Sequence, residues 1–286
     1  MSEIRQVAVR TWRASPPENQ PSGDPGPSGP ADLLNDSIAA EVPVALTYNR
    51  VSHVVMMASP MDLEDFAVGF SMTEGLLGSI DDMRSVQLIP RTGGIELAMT
   101  ISEDWFDRLA THRRNMAGRT GCGLCGAENI KQALRSPRPV AKRLEVSHAA
   151  LQRALADLEA HQPLQAETGA THGAAWCSPD GKIERVREDV GRHNALDKLI
   201  GSLFRSGLDP AGGFVLVSSR ASYEMVFKTA AVGIELIQAV SAPTTLAIEF
   251  AQRSGVTLVG FARPGRHNVY TFPERIMEQG IADAGS

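Results

Sequence analysis

The sequence predicts an α/β fold built in layers, and three observations carry that prediction. In the second half of the chain, short apolar runs such as GFVLVSS (213–219) and VTLVGFA (256–262) alternate with stretches of helical periodicity. The chain shows no internal repeat, which argues against a solenoid or propeller. Its 286 residues are 43% hydrophobic, enough to fill a sizeable core.

The elements follow in order. Residues 1–38 read as a flexible tail, because ASPPENQPSGDPGPSGPA (14–31) has six prolines, three glycines and no large apolar side chain. VPVALTYN (42–49) and VSHVVMMA (51–58) are β-rich and meet at Asn49-Arg50, a hairpin turn. Ser59-Pro60 starts a helix with Asp62, Glu64 and Asp65 in its first turns and Leu63, Phe66, Phe70 and Leu76 or Leu77 on one face. RSVQLIP and IELAMTI form a second hairpin through Gly93-Gly94. Ser102 caps a helix to about Arg114, and 127–134 reads as a short helix.

The basic, proline-broken RSPRPVAKR (135–143) divides an α+β lobe over 39–136 from an α/β lobe over 137–286. Ser147 begins an amphipathic helix carrying Leu151, Leu155 and Leu158. AAWCSPDGKIERV is a hairpin turning at Pro179-Asp180-Gly181. Helices are expected near 194–205, 222–240 and 244–253, with strands at GFVLVSS, VTLVGFA and NVYT.

Charge and composition exclude several classes. With 28 basic against 33 acidic residues and a net charge of −5, the chain has no general attraction for nucleic acid or anionic membranes. No apolar run approaches the roughly 18 residues of a membrane span, and MSEIRQVAVRTW lacks a signal-peptide core, so a cytoplasmic location is expected.

Two of the three cysteines sit in GRTGCGLCGAENI (118–130). Cys122 and Cys125, at i and i+3, suit half a zinc site, a thiol/disulfide pair, or a nucleophilic thiol with a modulating neighbour. Zinc would need two more ligands, for which Cys177 and His172 are the candidates. The glycines around both thiols favour a mobile carrier. Arg113, Arg114, Arg119 and the start of the 127–134 helix favour a thiolate.

Three polar clusters fall in the second half. REDVGRHNALDKLIG (187–201) crowds Glu188, Asp189, Arg192 and His193 at a helix entrance, with Asn194 as a possible cap. On the simplest reading Leu196, Leu199 and Ile200 pack while Asp197 and Lys198 are solvated. Ser218, Ser219, Arg220 and Ser222 follow an apolar strand, and Glu224 and Lys228 suit a surface i,i+4 pair. In GFARPGR (260–266), Arg263 and Arg266 flank a Pro264-Gly265 turn suited to phosphate or a polar heterocycle. Together they point to a shared pocket for a phosphorylated ligand. Deamination is disfavoured, for no HxE followed by PCxxC occurs.

CGLCG with its preceding GRTG, the REDVGRHNALDKLIG block, SSRASYEMVFKTA, and SAPTTLAIEFAQRSGVTLVGFARPGR together resemble the formate dehydrogenase accessory sulfurtransferases, the FdhD family, from about Val42 to Thr271. The resemblance implies a cytidine-deaminase-like three-layer α/β/α sandwich with a smaller N-terminal α+β lobe, in a homodimer. It implies a sulfurtransferase that takes sulfur from a cysteine desulfurase as a persulfide on Cys122, with Cys125 as partner. The sulfur would pass to the molybdenum bis(molybdopterin guanine dinucleotide) cofactor, a bound client destined for formate dehydrogenase, and no metal of its own is expected. Phe261, Ala262, Arg263, Pro264, Gly265 and Arg266 would bind that client, helped by Arg192, His193, Ser219 and Arg220. A family pattern TGGxHxA is met here with Ala170 in place of its second glycine, and the proline-rich N-terminal extension is longer than usual. The alternative is a non-catalytic cofactor-binding chaperone with a zinc or redox CxxC.

Overall fold

The computed structural model describes residues 3–11, 32–107, 139–141 and 144–278. Two strands, β1 (Ile4–Thr11) and β2 (Asp32–Ala39), pair antiparallel as a ribbon inside the segment expected to be a tail. The proline-rich 12–31 between them lies outside the described residues. Backbone pairing organises these flanks even though Val7, Leu34 and Ile38 remain exposed.

Next comes a four-stranded sheet of β3 (Val42–Tyr48), β4 (Val51–Ala58), β5 (Met83–Arg91) and β6 (Gly94–Ile101), in the order β4-β3-β6-β5. Both expected hairpins are present. Asn49 and Arg50 each adopt positive φ, as a tight hairpin turn matched to strand twist requires. Val44, Leu46 and Tyr48 alternate inward with Leu97, Met99 and Ile101 and meet Phe66 and Phe70 of helix α1 (Leu63–Thr73). Of the helix expected from Ser102, residues 103–107 are described; the rest, and the 127–134 helix, lie outside the described residues.

A six-stranded mixed sheet follows: β8 (His172–Cys177), β9 (Ile183–Asp189), β10 (Phe214–Val217), β11 (Leu236–Ala239), β12 (Thr257–Arg263) and β13 (Arg266–Val269). Its order is β13-β12-β11-β10-β8-β9, parallel through β10, β11 and β12 and antiparallel elsewhere. A minor parallel pair joins β7 (Val146–Ser147) to β14 (Ile276–Met277).

Both faces of the large sheet are covered, which is why its strands read as apolar runs. On one face Ala174, Trp176, Val215, Val217, Ile237 and Leu258 pack against α4 (Arg192–Arg205), α5 (Tyr223–Ala231) and α6 (Thr245–Ser254). On the other, Ala175, Cys177, Phe214, Leu216 and Val259 pack against α2 (His148–Leu158), whose N-cap Ser147 accepts the Ala150 N–H at 3.1 Å as expected. A short α3 (Pro163–Thr168) leads into β8.

Two expectations are corrected here. The single helix over 222–240 is instead α5, a turn and strand β11, because a short, fully buried strand has the same apolar texture as a buried helix. The α4 helix begins at Arg192 with Gly191 as N-cap, so Asn194 lies inside it and its amide donates to Met57 O at 2.8 Å.

The two parts of the chain meet where α1 crosses α4. A Cβ on Gly69 would lie 1.7 Å from Asp197 O, and one on Gly201 would lie 1.9 Å from Asp65 O. Only glycine lets the two backbones touch there.

Candidate functional site

The candidate site sits at the carboxyl edge of β10, β11 and β12, beside the start of antiparallel β8. Backbone bonds tie this edge together: Ser218 N–H to Gly173 O (3.0 Å), Ser241 N–H to Ser219 O (3.3 Å) and Phe261 N–H to Ser241 O (3.1 Å).

At the α4 entrance, Asp189 is fully buried and spends its carboxylate on Lys198 Nζ (2.7 Å), Ser59 N–H (3.0 Å), Gly191 N–H (2.8 Å) and the Asn194 amide (3.0 Å). Glu188 is likewise consumed, accepting the N–H groups of Leu164 (2.9 Å) and Gln165 (2.7 Å) and the Thr171 hydroxyl (3.1 Å). These two carboxylates are structural. They leave Arg192 and His193 as the groups the entrance presents.

Asp197 and Lys198, expected to be solvated, are buried, and so is Lys228, expected in a surface pair with Glu224. Their partners come from distant sequence. Lys228 Nζ meets Asp197 Oδ2 (2.9 Å), Glu74 Oε1 (2.8 Å) and Thr73 Oγ1 (3.0 Å). Burial opposes the Lys228 ammonium, but the Asp197 and Glu74 carboxylates hold its pKa above that of an ordinary lysine. Burial pushes the Asp197 carboxyl up to about 6, against the pull of Lys228.

His193 lies against this cluster, its Nε2 3.1 Å from Glu224 Oε2. Burial, then the Arg192 and Lys228 charges, brings its pKa down to about 3, so at neutral pH it is an uncharged imidazole. His172 is also shifted down, first by burial and then by Arg192, with Asp189 opposing and Arg220 adding to the shift. Thus His172, Arg192, His193 and Arg220 share one electrostatic neighbourhood. Arg220 is exposed, whereas Ser219 is buried and its hydroxyl donates to Arg220 O at 3.0 Å.

The arginine turn closes β12 and opens β13. Phe261 sits at φ 50° in a bulge of β12 and keeps its ring exposed, and Ala262 is buried. Positive φ on an aromatic residue is backbone strain of the kind that clusters at ligand sites. Arg263 donates through Nη1 to Val240 O and to Ala262 O (2.8 Å), while Pro264, Gly265 and Arg266 are exposed. The Gly265 N–H donates to Gln152 Oε1 of α2 at 2.7 Å.

Sequence reasoning missed a cleft of about 460 Å³ lined by Gln162, Gln165, Gly169, Ala170, Thr171, His172 and Ser218. The signal for it was His172 in THG beside SSR, two segments whose adjacency only the antiparallel β8–β10 pairing reveals.

Cys122 and Cys125 lie outside the described residues. Cys177 is fully buried in the sheet core, and burial, with Asp157 adding, raises its thiol far above the ordinary range. His172 and Cys177 occupy opposite ends of β8, roughly 16 Å apart at a strand's rise per residue. They cannot complete one zinc site.

Fold and site define a mixed α/β protein with a polar cleft and an arginine turn along one edge of its principal sheet. The chain belongs to the FdhD/NarQ family, whose model matches residues 39–277. It is 51% identical over 247 residues to the sulfur carrier protein FdhD of Cupriavidus necator, covering 86% of each chain. It is 48% identical over 254 residues to that of Xanthomonas euvesicatoria pv. vesicatoria, covering 89% of this chain and 90% of the relative. A solved structure of a candidate formate dehydrogenase accessory protein from Desulfotalea psychrophila aligns with a TM-score of 0.73 at 25% identity, over 96% of this chain and all of that one.

Proposed function

We propose that this protein is a sulfur carrier for formate dehydrogenase maturation, moving sulfur on the CGLC thiols to a bound molybdenum bis(molybdopterin guanine dinucleotide) client. The observation that carries the reading is the 51% identity to a named sulfur carrier, joined to the chemistry of the thiols. Of three cysteines, Cys177 is buried with a raised pKa, so carrier chemistry falls to Cys122 and Cys125.

The Cys122 thiolate attacks the outer sulfur of a cysteine desulfurase persulfide. A new S–S bond forms on Cys122, the donor's S–S bond breaks, and the donor leaves as its thiolate. Delivery uses Cys125, whose thiolate attacks Cys122 Sγ and expels the outer sulfur as hydrosulfide to the client. This leaves a Cys122–Cys125 disulfide that a cellular dithiol reduces. The client's phosphates are held by Arg263 and Arg266, with Arg192 and Arg220 at the other end of the same edge. Phe261, with its exposed ring, contributes a stacking face.

Helices on both faces of the mixed sheet support the cytidine-deaminase-like three-layer layout, and the presence of two separate sheets supports reading the chain as a 39–136 lobe and a 137–286 lobe. The protein works in the cytoplasm as a homodimer. Among the described residues no helix is long and apolar enough to cross a membrane.

The test is sulfur delivery from persulfide-loaded protein. Cys125→Ala is expected to accept one sulfur and fail to release it. Repeated turnover by Cys125→Ala without added thiol would refute the assigned role of Cys125.

A further inference from the structure

The arginine turn is held from outside its own hairpin. Arg263 and Arg266 pair across it, and Gly265 sits at φ 74° after Pro264, the arrangement of a type II turn. Types I and II differ by a flip of the central peptide, so the direction of the Gly265 N–H records which way that peptide faces. Here the N–H donates to Gln152 Oε1 at 2.7 Å, which ties the exposed turn to helix α2 on the face of the sheet.

That bond fixes which way round the Gln152 amide lies. A backbone N–H only donates, so Oε1 faces Gly265 and Nε2 faces the other way, 3.2 Å from His267 Nδ1. The amide nitrogen is itself a donor, so His267 Nδ1 accepts and the ring proton sits on Nε2. That proton meets His148 Nδ1, 3.2 Å away on α2, with the two ring centroids 4.4 Å apart. Gly265, Gln152, His267 and His148 thus form one relay with a single consistent order of donors and acceptors. Burial, then the His148 charge, lowers the His267 pKa from 6.5, so at neutral pH the ring is uncharged, as the relay requires. The other charges about it are Arg266, beside it on β13, and Arg263 across the turn.

Protonating either imidazole breaks that order. A proton on His267 Nδ1 meets the Gln152 amide nitrogen donor to donor. If the amide turns over to accept that proton, its nitrogen then opposes the Gly265 N–H, and the turn is released. A proton on His148 Nδ1 forces the His267 proton onto Nδ1, with the same result. We infer that Gln152 is a positioning residue for the arginine turn, kept by His267 and His148 in the one orientation that holds the Pro264–Gly265 peptide facing α2. The inference rests on the role proposed above for the turn as the client's phosphate site, and it adds that the site is set at neutral pH and loosened by acid.

The experiment is calorimetric binding of GDP to the full chain at pH 8 and pH 5, in wild type, Gln152→Leu and His267→Leu, with thermal melting confirming that each folds. At pH 8 wild type should bind about fivefold more tightly than Gln152→Leu, the scale of one hydrogen bond. At pH 5 that ratio should fall toward one, whereas the ratio of His267→Leu to Gln152→Leu should be the same at both pH values. Protonation of GDP and the new imidazolium charge act on wild type and Gln152→Leu alike, so they cancel in the ratio. A packing role alone would leave the ratio independent of pH. The inference is overturned if wild type and Gln152→Leu bind equally at pH 8, or if their ratio does not fall at pH 5. Arg266→Ala separates this from failure of the turn itself. Weakened binding in Arg266→Ala with none in Gln152→Leu overturns the inference alone, and no weakening in either overturns the phosphate-site reading with it.

Discussion

Lys198 Nζ lies 2.7 Å from Asp189 Oδ2 with both side chains wholly buried, and the pair is completed by Ser59 from the end of β4. One ion pair therefore joins the four-stranded sheet to the helix entrance that presents Arg192 and His193. Removing one partner of a buried pair strands the other charge, so Lys198→Met should cost about 3–5 kcal/mol in urea unfolding. Adding Asp189→Asn should recover part of that loss. A Lys198→Met protein as stable as wild type would contradict this.

The α1–α4 crossing gives a steric prediction. Gly201→Ala forces a methyl group onto Asp65 O, and overpacking of this kind costs roughly 2–3 kcal/mol when the helices separate to relieve it. The expected readout is a lower urea midpoint, with Gly69→Ala behaving likewise. A loss below about 0.5 kcal/mol, the scale of an ordinary surface substitution, would show that the helices are not in backbone contact.

His193 makes stability depend on pH. Its folded pKa, near 3, lies below the unfolded value of 6.5, so the unfolded chain binds more protons between them. Stability present above pH 6.5 is then lost as pH falls, by about 2 kcal/mol at pH 5 from this group. Asp197, pushed up to about 6, gains stability over the same window, so the readout is the difference between proteins: from pH 7 to pH 5 wild type should lose about 2 kcal/mol more than His193→Asn. Equal slopes in the two proteins would remove His193 as its source.

The arginine turn should bind GDP through its phosphates. Arg266→Ala, whose side chain is exposed, is expected to weaken GDP binding about tenfold with melting unchanged. Raising the salt concentration should weaken wild-type binding more than that of the variant. Unaltered affinity would move the phosphate site elsewhere on the sheet edge.

Local chemistry was readable from sequence wherever partners were near in the chain. The Asn49-Arg50 and Gly93-Gly94 hairpins and the Ser147 cap each depend on residues within a few positions. The burial of Asp197, Lys198 and Lys228 was not readable. Lys198 pairs with nearby Asp189, and Asp197 with Lys228, but the groups that complete both pairs, Ser59, Thr73 and Glu74, lie more than a hundred residues upstream and arrive only when the two parts of the chain pack. The polar cleft was hidden for the same reason, since Ser218 becomes a neighbour of His172 only once β8 and β10 pair. Strand β11 was lost to the likeness between buried strands and buried helices.

The most direct test of the central claim is intact-protein mass after incubation with a cysteine desulfurase and free cysteine. The account predicts a reductant-labile gain of one sulfur in wild type and in Cys177→Ala, absent in Cys122→Ala. No gain in any form, or a gain that survives Cys122→Ala and disappears in Cys177→Ala, would contradict it.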